Sequence, residues 1–160
     1  MRFTLFCCYP GQDHDLMDTL LSALNLSLSP DQVLLYGIAA MAAIVYLPYI
    51  LVAYGRVSIG IDLAAPRAMF DRLPDYAKRA TWAHQNSFES FAVFTAAALT
   101  VYVTGSASVA TNNYVLLYLA ARLLFFGFYW VNWPFLRSPM WALSMVAIGG
   151  LFLASLNATV

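Results

Sequence analysis

Residues 90–121 read SFAVFTAAALTVYVTGSASVATNNYVLLYLAA and contain no charged side chain over 32 positions. A helix needs about 20 mostly apolar residues to cross a bilayer, so this stretch can hold the end of one span, a turn near Gly105 and the start of another. Charge-free stretches also cover 32–55 and 138–160. All three are continuous and rich in Ala and Leu, whereas the strands of a membrane β-barrel alternate in hydropathy over about 10 residues. The pattern therefore predicts membrane-spanning helices.

The composition of the whole chain agrees with this prediction. Its 160 residues are 62% hydrophobic and 10% charged, with a net charge of zero, whereas soluble domains are about 25% charged. This composition excludes a disordered chain and a water-soluble globule. Eight scattered cations cannot build a basic face, which excludes nucleic acid as a partner. We predict a single all-α integral membrane domain with the lipid bilayer as its surroundings.

Four spans are expected in an up-down four-helix bundle, at 33–54, 82–103, 114–133 and 140–156. Prolines and capping residues predict where the helices begin or bend: Ser29-Pro30 begins the first, Pro48 kinks it, Asn112-Asn113 cap the third and Ser138-Pro139 begin the fourth.

The distribution of basic residues predicts the orientation. Five of the eight cations lie in or near the loop between the first two spans: Arg56, Arg67, Arg72, Lys78 and Arg79. Arg137 lies between the third and fourth spans, whereas the turn between the second and third is uncharged. The positive-inside rule therefore places the first and third loops in the cytoplasm and both termini outside it. We expect a multi-pass protein of the cell inner membrane.

The N-terminal segment, residues 1–28, is expected to be separate from the membrane domain at 29–160. Its first nine residues are too short for a signal peptide, and the adjacent Cys7 and Cys8 have no spacing that suits zinc or redox chemistry. We hypothesise that Met17 is the native start or that residues 1–16 are loosely ordered.

Two ionisable side chains fall inside the predicted spans. Glu89 lies about seven residues into the second span, roughly 10 Å deep at 1.5 Å per residue. An ionised side chain there costs about 2.5–3.5 kcal/mol or more, so we expect it to have a partner inside the bundle. Arg122 lies at a similar depth in the third span and is the candidate partner. Asn86 lies one turn before Glu89, and Tyr129 follows Arg122 along the same stripe.

These polar residues have two interpretations. They can form a structural clamp, as polar side chains do between membrane helices. Alternatively, they can form a pocket for a small acidic ligand from the cytoplasmic side, because a guanidinium pairs well with a carboxylate. Arg56, Arg79 and Arg137 would then lie at its rim. His84 lies beside this face, but His14 is the chain's other histidine, so no metal site is predicted.

The same residues carry a family resemblance. Residues 79–89, RATWAHQNSFE, resemble the second-helix signature Ala-His-x-Asn-x-x-Glu of the MAPEG family, the membrane-associated proteins in eicosanoid and glutathione metabolism. Residues 121–125, ARLLF, followed by Tyr129, are similar to its third-helix pattern. Residues 133–137, WPFLR, resemble the Pro-x-x-Arg of bacterial members. The resemblance extends from about residue 32 to the C-terminus.

The resemblance implies a homotrimer of four-helix subunits with glutathione sites between neighbours, open to the cytoplasmic side. Many members conjugate glutathione to lipophilic electrophiles or reduce lipid hydroperoxides, and one branch binds lipids as a scaffold without catalysis. Both functions stay open for this chain, since Trp82 and Gln85 stand where enzymatic members carry basic residues. The implied partners are the other copies of the chain in the homotrimer and a lipophilic small molecule.

The resemblance also implies roles for individual residues. Arg137 would stabilise the glutathione thiolate, with Tyr129 beside it as the second catalytic candidate. Glutathione, as a co-substrate, would be held by six further residues: Arg56, Arg79, His84, Asn86, Glu89 and Arg122.

Overall fold

The computed structural model describes residues 28–159 of the chain. These residues form five α-helices and one short 3-10 helix, and no strand occurs among them. The helices are α1 (Pro30–Val45), α2 (Leu47–Ser58), α3 (Asp75–Val103), α4 (Val109–Trp130) and α5 (Pro134–Asn157), and the 3-10 helix is Phe70–Arg72. The prediction of an all-α protein is confirmed for this part of the chain. The predictions for residues 1–27, including Met17 and the two cysteines, lie outside the described residues.

The first predicted span corresponds to α1 and α2 together. Ser29 caps α1 in a capping box, where its hydroxyl accepts from the Gln32 amide at 3.3 Å and the Gln32 side chain accepts from the Ser29 amide at 2.8 Å. The helix is interrupted at Tyr46 and resumes at Leu47, with Pro48 in the first turn of α2. Pro48 lacks the amide that would continue the ladder, so the predicted kink is confirmed as a break between two helices.

Three helical stretches within residues 28–159 are long and apolar enough to cross a membrane: Pro30–Ser58, Val109–Trp130 and Pro134–Asn157. They correspond to the predicted first, third and fourth spans, and they identify a membrane protein. The predicted second span, 82–103, lies within α3. This helix has 29 residues but is not among the three, because Asn86 and Glu89 interrupt its apolar sequence.

Two predicted helix starts are wrong. Helix α4 begins at Val109, because Ser108 forms a capping box with Thr111 before Asn112 is reached. Helix α5 begins at Pro134, and Pro139 lies inside it. Proline has no amide to lose in the first helical turn, so Pro134 can begin α5 five residues earlier than Pro139.

Helix α3 contacts all four other α-helices, and α4 and α5 form the most extensive pair. The main apolar core is built around buried side chains that include Met41, Phe94, Tyr118 and Leu151. Phe94 and Tyr118 stack with their ring centroids 4.0 Å apart, which joins α3 to α4. A smaller cluster lies between α2, the following loop and the start of α3. The central position of α3 explains why its polar residues meet several neighbours.

Gly55 allows α2 to approach α3 closely, and we expect Gly55→Ala to lower stability. A methyl group there would come within 2.5 Å of the Ala77 Cβ, which has no rotamer to change. Overpacking of this kind costs about 1–3 kcal/mol. Gly149→Ala is the matched control, since a methyl group at Gly149 meets nothing within 4 Å. Thermal unfolding in detergent measures both variants, and equal unfolding temperatures would contradict the close contact.

Candidate functional site

Arg122 lies at the centre of a buried polar cluster between α3 and α4. It is the largest fully buried side chain among the described residues, with 0% exposure. Its Nη1 and Nη2 atoms each donate to Asn86 Oδ1 at 3.0 Å, and Nη2 also donates to Ser87 Oγ at 2.9 Å. Hydrogen bonds to a charged donor are stronger than neutral ones. The cluster therefore fixes both the Asn86 side chain and the register of α3 against α4.

Glu89 is not the partner of Arg122, so that prediction is wrong. Its side chain is exposed, and it makes no ion pair or hydrogen bond with any residue in 28–159. Asn86 and Ser87 already occupy the guanidinium, and Glu89 is rotated by about 60° around the helix axis relative to Asn86. This rotation is enough to turn Glu89 away from α4 and toward α2.

A continuous stack of side chains runs from Arg122 to the start of α5. The Arg122 guanidinium lies 4.3 Å from the centroid of the Phe125 ring. Phe125 meets Tyr129 edge to face at 5.0 Å, and the Arg137 guanidinium lies 4.3 Å from the Tyr129 ring centroid. Cations over aromatic faces are attracted by the ring quadrupole. The stack therefore holds Tyr129 and Arg137 in defined positions.

Tyr129 and Arg137 share a cleft with Asn86, which we call the α5 cleft. Its volume is about 220 Å³, and Phe125, Ser138 and Trp141 complete its walls. Arg137 lies in the first turn of α5, where the free backbone amides add to the positive potential. The α5 cleft is therefore suited to an anionic group.

A larger cleft of about 720 Å³ lies between α2, the loop 59–74 and α3, and we call it the α2–α3 cleft. Arg56, His84 and Glu89 line it together with Arg67 from the loop. The Arg56 Nη1 donates to the Tyr49 hydroxyl at 3.3 Å, which holds the guanidinium against the wall. Both signs of charge are thus present in one open cleft, and they are not paired with each other.

His84 joins α3 to the break between α1 and α2. Its Nδ1 lies 2.8 Å from the Val45 carbonyl oxygen. A carbonyl only accepts, so Nδ1 is the donor in this bond. The rings of Tyr46 and Tyr49 lie 5.8 and 5.4 Å from the imidazole centroid.

The predicted site residues are thus divided between the two clefts. Asn86, Tyr129 and Arg137 line the α5 cleft, with Arg122 behind them, whereas Arg56, His84 and Glu89 line the α2–α3 cleft. Arg79 lines neither.

Sequence reasoning missed Arg67, Phe70 and Trp141 as cleft residues. Arg67 and Phe70 belong to a loop without helical periodicity, and a tryptophan near the start of a span, such as Trp141, is equally expected at a membrane interface. Nothing in their spacing marks them as cleft residues, because their positions depend on how α2, α3 and α5 pack.

These features define an α-helical membrane protein with a central polar helix and a buried arginine. A family model described as the MAPEG family matches residues 33–157, which is most of the chain. The chain therefore belongs to the MAPEG family, and the resemblance of the second- and third-helix motifs is confirmed. Comparisons with curated proteins and with solved structures found no match.

Proposed function

We propose that this protein is a glutathione-dependent transferase or peroxidase that acts on lipophilic electrophiles. The observation that carries the proposal is the α5 cleft, where Arg137 and Tyr129 lie in contact beside Asn86. Glutathione would supply a thiol, which has a pKa of about 8.5 when free and reacts as the thiolate. Arg137 and the amides of the first turn of α5 would lower that pKa, and the Tyr129 hydroxyl can donate a hydrogen bond to the anion.

The division of the site supports an assembly in which copies of the chain complete one another's sites. Glu89 and Gln85 are exposed on α3, and an ionised carboxylate that faces lipid costs about 2.5–3.5 kcal/mol or more. Contact with another subunit removes this cost. We therefore propose a homotrimer, as the family implies, in which the α2–α3 cleft of one copy faces the α5 cleft of the next. Arg56, His84 and Glu89 would then hold glutathione, with the thiol at Arg137 of the neighbour.

We also propose that α3 contains the second of four membrane spans. Its C-terminal half, beyond Glu89, is free of charge, and it contacts every other α-helix. We propose an up-down four-helix bundle in the inner membrane. The loop 59–74 and residues 131–133 would lie on the cytoplasmic side, and both termini would lie on the opposite side. Five of the eight cations lie in or near the first of these loops, which supports this orientation.

A second candidate function is lipid binding by a non-catalytic scaffold of the same fold. The side chains that α3 contributes to the α2–α3 cleft include no cation, and Tyr49, Phe70 and Phe88 give the cleft an aromatic wall. Such a cleft can bury an acyl chain without any reaction.

One assay separates the two candidates. The purified protein is tested for saturable glutathione binding and for conjugation of glutathione to a broad lipophilic electrophile. Binding with turnover supports the transferase, whereas saturable fatty-acid binding without turnover supports the scaffold.

Within this assay we expect Glu89→Gln to weaken glutathione binding about tenfold, because the carboxylate would lose its charge-assisted bond to the ligand's ammonium group. The unfolding temperature should not change, since Glu89 has no partner in the described part of the subunit. Unchanged affinity would remove Glu89 from the site.

A further inference from the structure

The connection between α4 and α5, residues 130–136, exposes a cluster of large apolar side chains, and we call it the aromatic turn. Every residue of the turn is exposed, and none is charged. Phe135 is 91% exposed, the highest value for a large hydrophobic side chain in residues 28–159. The other large apolar residues of the turn are Trp130, Val131, Trp133 and Leu136. An exposed apolar patch of this kind marks a surface that contacts something other than water.

The aromatic turn has a defined backbone. The Trp133 amide donates to the Phe128 carbonyl at 2.9 Å. The Asn132 amide donates to the Tyr129 carbonyl at 3.3 Å, and the two bonds together form the Schellman pattern that ends many helices. Asn132 has a φ of 59°, in the left-handed region that asparagine tolerates. The rings of Phe128 and Trp133 stack with their centroids 6.2 Å apart, so Trp133 is held in place by α4.

Trp82 on α3 lies at the same level of the bundle as the aromatic turn. Phe94 and Tyr118 stack with their centroids 4.0 Å apart and so mark one level shared by α3 and α4. Twelve residues separate Tyr118 from Trp130, and twelve separate Phe94 from Trp82, which is about 18 Å along each helix axis. Trp82 is 47% exposed and Trp130 is 54% exposed. Both helices therefore present an exposed tryptophan at one level.

The distribution of charge changes at this level. Helix α3 extends about 10 Å beyond Trp82, and this extension carries Asp75, Lys78 and Arg79. In α4, no charged residue lies between Arg122 and the aromatic turn. Helix α4 has 22 residues, or about 33 Å, which is close to the roughly 30 Å of a bilayer's hydrocarbon core. Since tryptophan is enriched where hydrocarbon meets headgroups, this level fits one boundary of the bilayer.

We infer that the aromatic turn is an interfacial anchor that inserts Trp133 and Phe135 into the phospholipid bilayer at the level of its headgroups. The flanking helices Val109–Trp130 and Pro134–Asn157 are long and apolar enough to cross a membrane. The exposed patch is therefore continuous with the surface that lipid covers. The anchor is apolar and not electrostatic, because the turn carries no cation and Arg137 beside it lies 4.3 Å from the Tyr129 ring centroid. The inference does not depend on glutathione or on catalysis.

Tryptophan fluorescence of the full chain tests the inference. Phe135→Trp provides a single reporter once the four native tryptophans are replaced by phenylalanine: Trp82, Trp130, Trp133 and Trp141. The protein is reconstituted in phosphatidylcholine bilayers whose acyl chains carry bromine either near the headgroup or near the chain end. Interfacial side chains lie about 5–10 Å into the bilayer, so we expect shallow bromine to quench the reporter at least about twofold more than deep bromine.

Tyr76→Trp in the same background is the matched control. Tyr76 is partly exposed and lies on α3 about 9 Å beyond the level of Trp82. We expect acrylamide in the water to quench this control more strongly than it quenches the Phe135→Trp reporter. Shallow bromine should quench the control more weakly.

The parent protein gives a second measurement without any substitution. Three of its four tryptophans lie at the inferred boundary, so shallow bromine should quench its emission more than deep bromine does. The result should be the same in neutral bilayers and in bilayers that contain anionic phosphatidylglycerol, because the anchor carries no cation.

Four results would overturn the inference. Acrylamide quenching of the Phe135→Trp reporter as strong as that of the control would place the turn in water. Protection from both acrylamide and bromine would place it against a protein surface, such as a second copy of the chain. Stronger quenching by deep bromine would place it inside the hydrocarbon. Quenching by bromine only with phosphatidylglycerol present would make the cations of α3 and the loop 59–74 the anchor.

Discussion

Arg137→Ala is expected to lower kcat/KM for glutathione conjugation at neutral pH by at least about 100-fold. Removal of one preorganised electrostatic contact to a reacting anion commonly costs 10²–10³ in rate. Arg137 lies in the α5 cleft against Tyr129, with a guanidinium-to-centroid distance of 4.3 Å. Since the side chain is half-buried in the first turn of α5, we expect its removal to leave the fold intact.

The defect of Arg137→Ala should depend on pH. A cation beside the thiol lowers the thiol pKa, so its loss raises that pKa and shifts the rise in activity to higher pH. The defect should therefore shrink as the pH increases. Arg137→Lys should retain part of the activity because it keeps the charge and loses the planar contact with the ring. A neutral-pH rate equal to that of the parent would exclude Arg137 from thiol activation.

Arg122→Leu is expected to destabilise the protein by about 3 kcal/mol or more. Asn86 and Ser87 would lose their charged partner inside the bundle, and hydrogen bonds to charged groups contribute about 1.5–3 kcal/mol each. The leucine would also leave part of the guanidinium volume unfilled beside Phe125. Unfolding in detergent and the fraction of monodisperse protein measure the effect.

Glu89→Gln is the control variant. It distinguishes stabilisation of Arg122 by the charge of Glu89 from stabilisation by hydrogen bonds to Asn86 and Ser87. If Arg122 depended on Glu89 for charge compensation, both variants would unfold early. The structure pairs Arg122 with Asn86 and Ser87, so only Arg122→Leu and, to a lesser degree, Asn86→Ala should do so. Parent-like stability of Arg122→Leu would show that the cluster does not hold α3 to α4.

The sequence allowed the membrane class to be predicted because an ionised side chain is costly inside a bilayer, so membrane-spanning stretches contain few charged residues. Three of the four predicted spans correspond to helical stretches that are apolar enough to cross a bilayer. Helix starts were less predictable. Ser108 and Asn112 are both good capping residues, and nothing local decides between them.

The importance of Asn86, Glu89 and Arg122 was predictable, but their pairing was not. Asn86 and Glu89 lie one turn apart, and sequence spacing groups them on one face. In the folded chain, different helices pack against the two sides of that face. Asn86 therefore contacts α4, whereas Glu89 lines the α2–α3 cleft. Arg67 could not be found at all from spacing, because its position depends on how a loop without periodicity packs on Met69 and Phe70.

The buried Arg122 also constrains how the chain enters the membrane during synthesis. An arginine near the middle of a lone helix opposes insertion by about 2.5–3.5 kcal/mol, and α4 emerges from the ribosome with its partners Asn86 and Ser87 already made. Entry of α3 and α4 as a hairpin lets the guanidinium find these partners before it meets lipid. The turn at 104–108 between these two helices is short and uncharged, so it can cross the bilayer together with them. Biogenesis of this protein is therefore expected to proceed by paired insertion of α3 and α4, not helix by helix.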